Sequence, residues 1–106
     1  MGRATAELLS QNPDVKLLLV GRTKSALEET HSLLSHAANH SIAPIDMRAA
    51  SAWQQAIATH FNDETNLCGV FANAGVGGEN HYGPEDRWDE IISINLTGTY
   101  VTIMEL

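Results

Sequence analysis

The feature that most constrains this chain is the stretch from Asn66 to Gly78, NLCGVFANAGVGG. An apolar run, Leu67 to Ala72, stops at Asn73-Ala74-Gly75 and passes into a glycine-rich loop. A short apolar run bounded by turn residues reads as a buried strand of a parallel sheet. Open α/β sheets bind ligands beyond the carboxyl ends of their strands, which puts the Asn-Ala-Gly step where a ligand would lie. Small residues there let backbone approach a flat ring closely. The Asn73 side chain offers both donors and an acceptor.

The rest of the chain alternates helix and strand. Arg3 to Gln11 is rich in helix formers, with Leu8 and Leu9 on one side. Asn12-Pro13-Asp14 is a turn. Val15 to Val20 (VKLLLV) is a strand, and a helix starts at Thr23 or Lys24, with Leu27, Thr30 or His31, Leu34 and Ala38 at helical spacing. Ser41 to Asp46 is a short strand, placed at a sheet edge because Pro44 cannot donate to a ladder. Ser51 reads as the N-cap of a helix with Trp53, Ile57 and Phe61 on one face. Asn62 to Asn66 is a polar loop before the Leu67 strand. Pro84-Glu85-Asp86 then opens a long helix carrying Trp88, Ile91, Ile92, Asn95, Thr99 and Met104. The order predicts an α/β fold with parallel strands and right-handed crossovers.

Composition narrows the function classes. A chain of 106 residues that is 43% hydrophobic suits a single globular domain. A net charge of −7 argues against nucleic acid and anionic membrane as partners. No run reaches a membrane-spanning length and no secretory signal is visible, so a cytoplasmic location is expected. The single cysteine, Cys68, lies in the apolar run and reads as a buried structural thiol. His36 and His40 stand four apart with His31 upstream, but no metal motif accompanies them; they read as solvated, and no metal site is expected.

Two motifs together suggest a family. Asn73-Ala74-Gly75 is followed by Asn95-Leu96-Thr97-Gly98 inside a helical pattern. The pair resembles the short-chain dehydrogenase/reductase family, classical type, whose members carry an N-N-A-G strand end and a later N-x-x-G helix. Here Ala72 stands in place of the first Asn. Met1-Gly2-Arg3-Ala4-Thr5 resembles the tail of the family's T-G-x-x-x-G-[IM]-G turn, with Gly2 as its last glycine.

The resemblance implies a Rossmann-like, doubly wound parallel sheet. Residues 1–106 would be part of an NAD(P)-binding domain, without its first strand and its C-terminal half. It implies cofactor contacts from Gly2, Arg22, Asp46, Met47, Asn73, Ala74 and Gly75. Asp46 would accept a hydrogen bond from the adenine amine, helped by the Met47 backbone. Gly21 stands where NAD-dependent members carry an acidic residue, and Arg22 follows it. An arginine there pairs with a 2′-phosphate, which favours NADP, with NAD possible. The alternative for Arg22 is an ordinary solvated side chain, and for Asp46 a strand-to-helix turn residue.

Asn95 resembles the family's helix Asn, which holds a water in the proton relay. The alternative is a mid-helix Asn bonded to its own backbone. The family's Ser and Tyr-x-x-x-Lys have no match, since Tyr82 is followed by Asp86 and Tyr100 by Met104 at that spacing. Gly75-Val76-Gly77-Gly78 lacks the last glycine of the dinucleotide fingerprint, because position 80 is Asn80.

The expected function is therefore a fragment of an NAD(P)-dependent dehydrogenase/reductase. Its parent would act on a small carbonyl or alcohol by hydride transfer, as a homo-oligomer, and the fragment alone would be inactive. The competing class is a non-enzymatic nucleotide-binding or subunit-interaction module. A sheet of this class runs 3-2-1-4, so the VKLLLV and LCGVFAN strands would lack their shared neighbour. Either a gap between them or a loosely collapsed sheet is expected.

Overall fold

The computed structural model describes residues 1–61, 67–77 and 83–106. Loop 62–66 and the positions Gly78, Asn80 and Tyr82 lie outside the described residues. Helix α1 spans Gly2–Leu9, strand β1 Leu18–Gly21, helix α2 Lys24–Ser32 and strand β2 Ser41–Pro44. Helix α3 spans Ala50–His60. A last helical rod comprises α4 (Trp88–Ile92), a π-helical segment Ser93–Gly98 and α5 (Thr99–Glu105).

Turn chemistry sets several boundaries. The Asn12 side chain accepts from the Asp14 N–H at 2.9 Å, closing the turn between α1 and β1. His36, in the left-handed region at φ 53°, follows α2 and leads into a short 3-10 turn at Ala37–Asn39. The helical reading through Ala38 therefore runs too far. Ala49, not Ser51, takes the N-cap position of α3. The last rod starts at Trp88 rather than Pro84, where the Asp86 carboxylate accepts from the Trp88 N–H at 2.7 Å. An Asx acceptor in sequence can outrank a proline as a start signal, because it satisfies an orphan N–H.

The sheet is the main correction. It has two parallel strands, β1 and β2, registered Leu18 to Ser41 through Gly21 to Pro44. The run Leu67–Ala72 forms no strand among the described residues, so the complete doubly wound sheet is not present. A strand needs a neighbour for its N–H and C=O groups, and no strand covers the second edge of β1 among the described residues. The structure thus holds neither a gap between two formed strands nor a collapsed sheet, because the second of those strands is not formed among the described residues. Leu67, Val70 and Phe71 are exposed (Phe71 72%), and so is Cys68, which corrects the buried thiol.

Met47, Trp53 and Ile94 form the core, with Val20, Ile45, Val76, Val101 and Leu106 against it. The Trp53 indole N–H donates to the Met47 carbonyl at 2.9 Å, so its polar atom is satisfied inside the core. Ala6 in α1 and Ser10 at its C-cap are buried one turn apart while Leu8 and Leu9 face solvent. Arg3 joins α1 to α2 through Glu29 and Thr30.

His40 also departs from the solvated reading. It is buried, its Nδ1 accepts from the Leu17 N–H at 3.1 Å, and its Nε2 faces the Ser35 carbonyl at 2.9 Å. These partners fix the Nε2–H tautomer. The His31 ring nitrogen in turn donates to the His40 carbonyl at 3.0 Å. Among the described residues no helix is long and apolar enough to cross a membrane.

Candidate cofactor cleft

Two constellations gather at the carboxyl ends of the strands. The first joins the start of α1 to the glycine-rich loop and the π segment. A Cβ built on Gly2 would lie 2.9 Å from the Asn73 side-chain nitrogen, so only glycine lets these two segments meet without a shift. The α1 N-terminus, with no side-chain cap, thus stands beside Asn73. Its first-turn N–H groups and dipole favour an anion.

On the loop's other side, Asn95 engages Val76 twice. Its side-chain oxygen accepts from the Val76 N–H and its amide donates to the Val76 carbonyl, both at 2.8 Å. This pair imitates one rung of a β-ladder and holds a segment with no strand partner. A Cβ on Gly75 would come within 3.0 Å of the Asn95 oxygen, which explains the small residue there. Asn95 therefore does not bond its own helix through its side chain. Its backbone carbonyl accepts from the Thr99 hydroxyl at 3.0 Å. The segment around it is π-helical, a geometry that recurs at functional sites.

The second constellation surrounds Asp46, in the turn after β2. Its Oδ1 accepts from the Arg48 N–H and Nε, each at 2.9 Å, and its Oδ2 takes the Arg48 Nη2. Hydrogen bonding from the Arg48 side chain, then from its backbone, holds the Asp46 carboxyl at about 2 against an ordinary 3.8, with a smaller pull from Arg22. Arg48 also reaches across to the π segment, donating from Nη1 to the Ser93 hydroxyl at 3.2 Å. The carboxyl of Glu90 is lowered mainly by its hydrogen bond from Arg87, with Arg22 and Arg48 adding weaker attraction. Arg22, exposed just after β1, thus weakly attracts one carboxylate in the turn after β2 and one in α4.

Met47 turns its side chain into the core, where a Cβ on Gly98 would approach it to 3.1 Å. Its carbonyl is taken by Trp53, so it would serve a ligand through its N–H. Ala74 is exposed beside Asn73. Sequence reasoning missed Arg48 and Ser93. The Asp-x-Arg spacing in a turn after a strand was the available signal for Arg48; nothing in the sequence pointed to Ser93.

The donor set suits a dinucleotide: a helix N-terminus for phosphate, an exposed guanidinium beside a strand end, small residues for a flat ring, and a carboxylate for an amine. Two cavities of about 330 and 300 Å³ among the described residues lie elsewhere, at the amino ends of the strands around His31, His40 and Lys16. The site itself is an open face. Among the described residues no group of three or more His, Cys, Asp or Glu converges on a metal position.

The helices and the two-stranded parallel sheet define part of an α/β protein. The model of the short chain dehydrogenase family matches residues 1–106, and the chain belongs to that family. No curated protein and no solved structure matches it.

Proposed function

We propose that these residues form the adenosine side of the cofactor cleft of an NAD(P)-dependent oxidoreductase. The whole enzyme would act in the cytoplasm, as a homo-oligomer, on a small carbonyl or alcohol. The bound cofactor would supply or take the hydride. Gly2 and the α1 N-terminus would face its pyrophosphate, Asn73 to Gly75 would line its ribose side, and Asp46 with the Met47 N–H would meet adenine. Asn95 would hold the loop and stand in the proton relay. The reading rests on one observation: Gly2, Asn73, Gly75 and Asn95 come together at the same end of the sheet as Arg22 and Asp46.

Arg22 makes NADP the favoured form. A charge-assisted phosphate contact contributes about 1.5–3 kcal/mol, tenfold or more in affinity. Titrating the chain with NADP and NAD, followed by amide NMR shifts, should show that preference. Arg22→Asp should remove it, and equal affinities in the unaltered chain would sink the NADP assignment.

A second reading has its own support. Leu96, Tyr100 and Ile103 lie exposed along one face of the last helical rod, at 59–63%. Such a face suits a subunit-interaction module without catalysis. Nucleotide binding at the first site separates the two readings.

A further inference from the structure

Arg48 occupies Asp46 to an unusual degree. Its backbone N–H, Nε and Nη2 all donate to the Asp46 carboxylate. The Nε N–H is shared, 2.9 Å from Oδ1 and 3.1 Å from Oδ2, so three N–H groups meet a carboxylate's roughly four acceptor directions and leave about one, on the side of Oδ2 away from the fork. The same guanidinium bonds the Ser93 hydroxyl, and Ser93 opens the π segment that carries Asn95. Ser93 is itself anchored, donating to the Glu90 carbonyl at 3.0 Å. The carboxylate is thus clamped from its own turn and braced against the facing rod.

We infer that Arg48 is a positioning residue that presets Asp46 as a single, directed acceptor for the exocyclic amine of an adenine-bearing ligand. The inference rests on the proposed cofactor reading and deepens it. Without the fork, the carboxylate would rotate freely and would lose its brace to the rod. A directed acceptor costs less ordering when the ligand arrives. Arginine is needed because its planar fork meets both oxygens together, which a lysine ammonium cannot do.

The experiment compares NADP with its hypoxanthine analogue, in which a carbonyl oxygen replaces the amine. The analogue presents an acceptor to an acceptor. The unaltered chain should bind NADP about tenfold more tightly than the analogue, the worth of one hydrogen bond to a charged acceptor. Arg48→Ala and Arg48→Lys should both lose most of that ratio. General loosening would weaken both ligands alike and leave the ratio standing, so the ratio reads orientation and not fold. Should Arg48→Ala fail to give a dispersed amide spectrum, Arg48→Lys carries the comparison.

An unchanged or larger ratio in the Arg48 variants, with NADP still bound by the unaltered chain, overturns the positioning role and spares the cofactor reading. Failure of the unaltered chain to bind either dinucleotide overturns both.

Discussion

Asp46 links ionisation to stability. Its carboxyl sits at about 2 in the folded chain, against an ordinary 3.8 when free, so the native state favours the charged form. That stabilisation is present in full above the ordinary value and drains away as pH falls through about 2. The Asp46 and Arg48 side chains are 36% and 35% exposed, and solvent screening keeps the pair to about 1 kcal/mol or less. Asp46→Asn should therefore cost about that much in urea unfolding at pH 7 and almost nothing at pH 2. An equal cost at both pH values would mean that the charge plays no part. Asp46, Asn73 and Asn95 drew attention in the sequence because each stands at an expected strand end or in a motif. For Arg48 the Asp-x-Arg spacing hints only at the local pair; its bond to Ser93, far away in the chain, had no signal.

Among elements, helices were more legible than strands. The periodicity of α3 named Trp53 correctly as a core residue, because a helix satisfies its own backbone and needs only one apolar face. The Leu67–Ala72 run misled because strand formation depends on a neighbour that local sequence does not encode. The π segment was equally invisible. It shows a close contact, with Gly98 against Met47. Gly98→Ala sets a helix-propensity gain of about 1 kcal/mol against a contact that the flexible Met47 can partly relieve, so stability should change by less than about 1 kcal/mol. Gly98→Val adds branching in the same place and should cost about 1–3 kcal/mol. Equal thermal midpoints for the two variants would contradict this packing. At the other end of the sheet, His40→Leu would strip Leu17 and Ser35 of their partners. Leu17 is half-buried and Ser35 exposed, so water takes up part of the loss and the cost should be about 1 kcal/mol, enough to lower Tm by several degrees.

At the scale of the whole molecule, surface and core are out of balance. The radius of gyration is 15.1 Å, where a compact domain of this length would have about 13 Å. Large apolar side chains, among them Phe71, Trp88, Leu96 and Tyr100, stand in solvent. The second edge of β1 carries no strand among the described residues. An unpaired edge beside exposed apolar residues is a template for other chains. The 106 residues alone should therefore associate as concentration rises, and light scattering over a dilution series should show mass growing well beyond 11.5 kDa. Phe71→Glu, which charges the unpaired run, should suppress that growth. If Ile103→Glu suppresses it and Phe71→Glu does not, the rod face drives association instead of the sheet edge. A monomer at every concentration, unfolding cooperatively with sharp near-ultraviolet dichroism, would show that the chain closes its own edge. The same preparation should oxidise no NADPH with a panel of ketones, because no tyrosine of the chain has a lysine four residues on to donate the proton that hydride transfer requires.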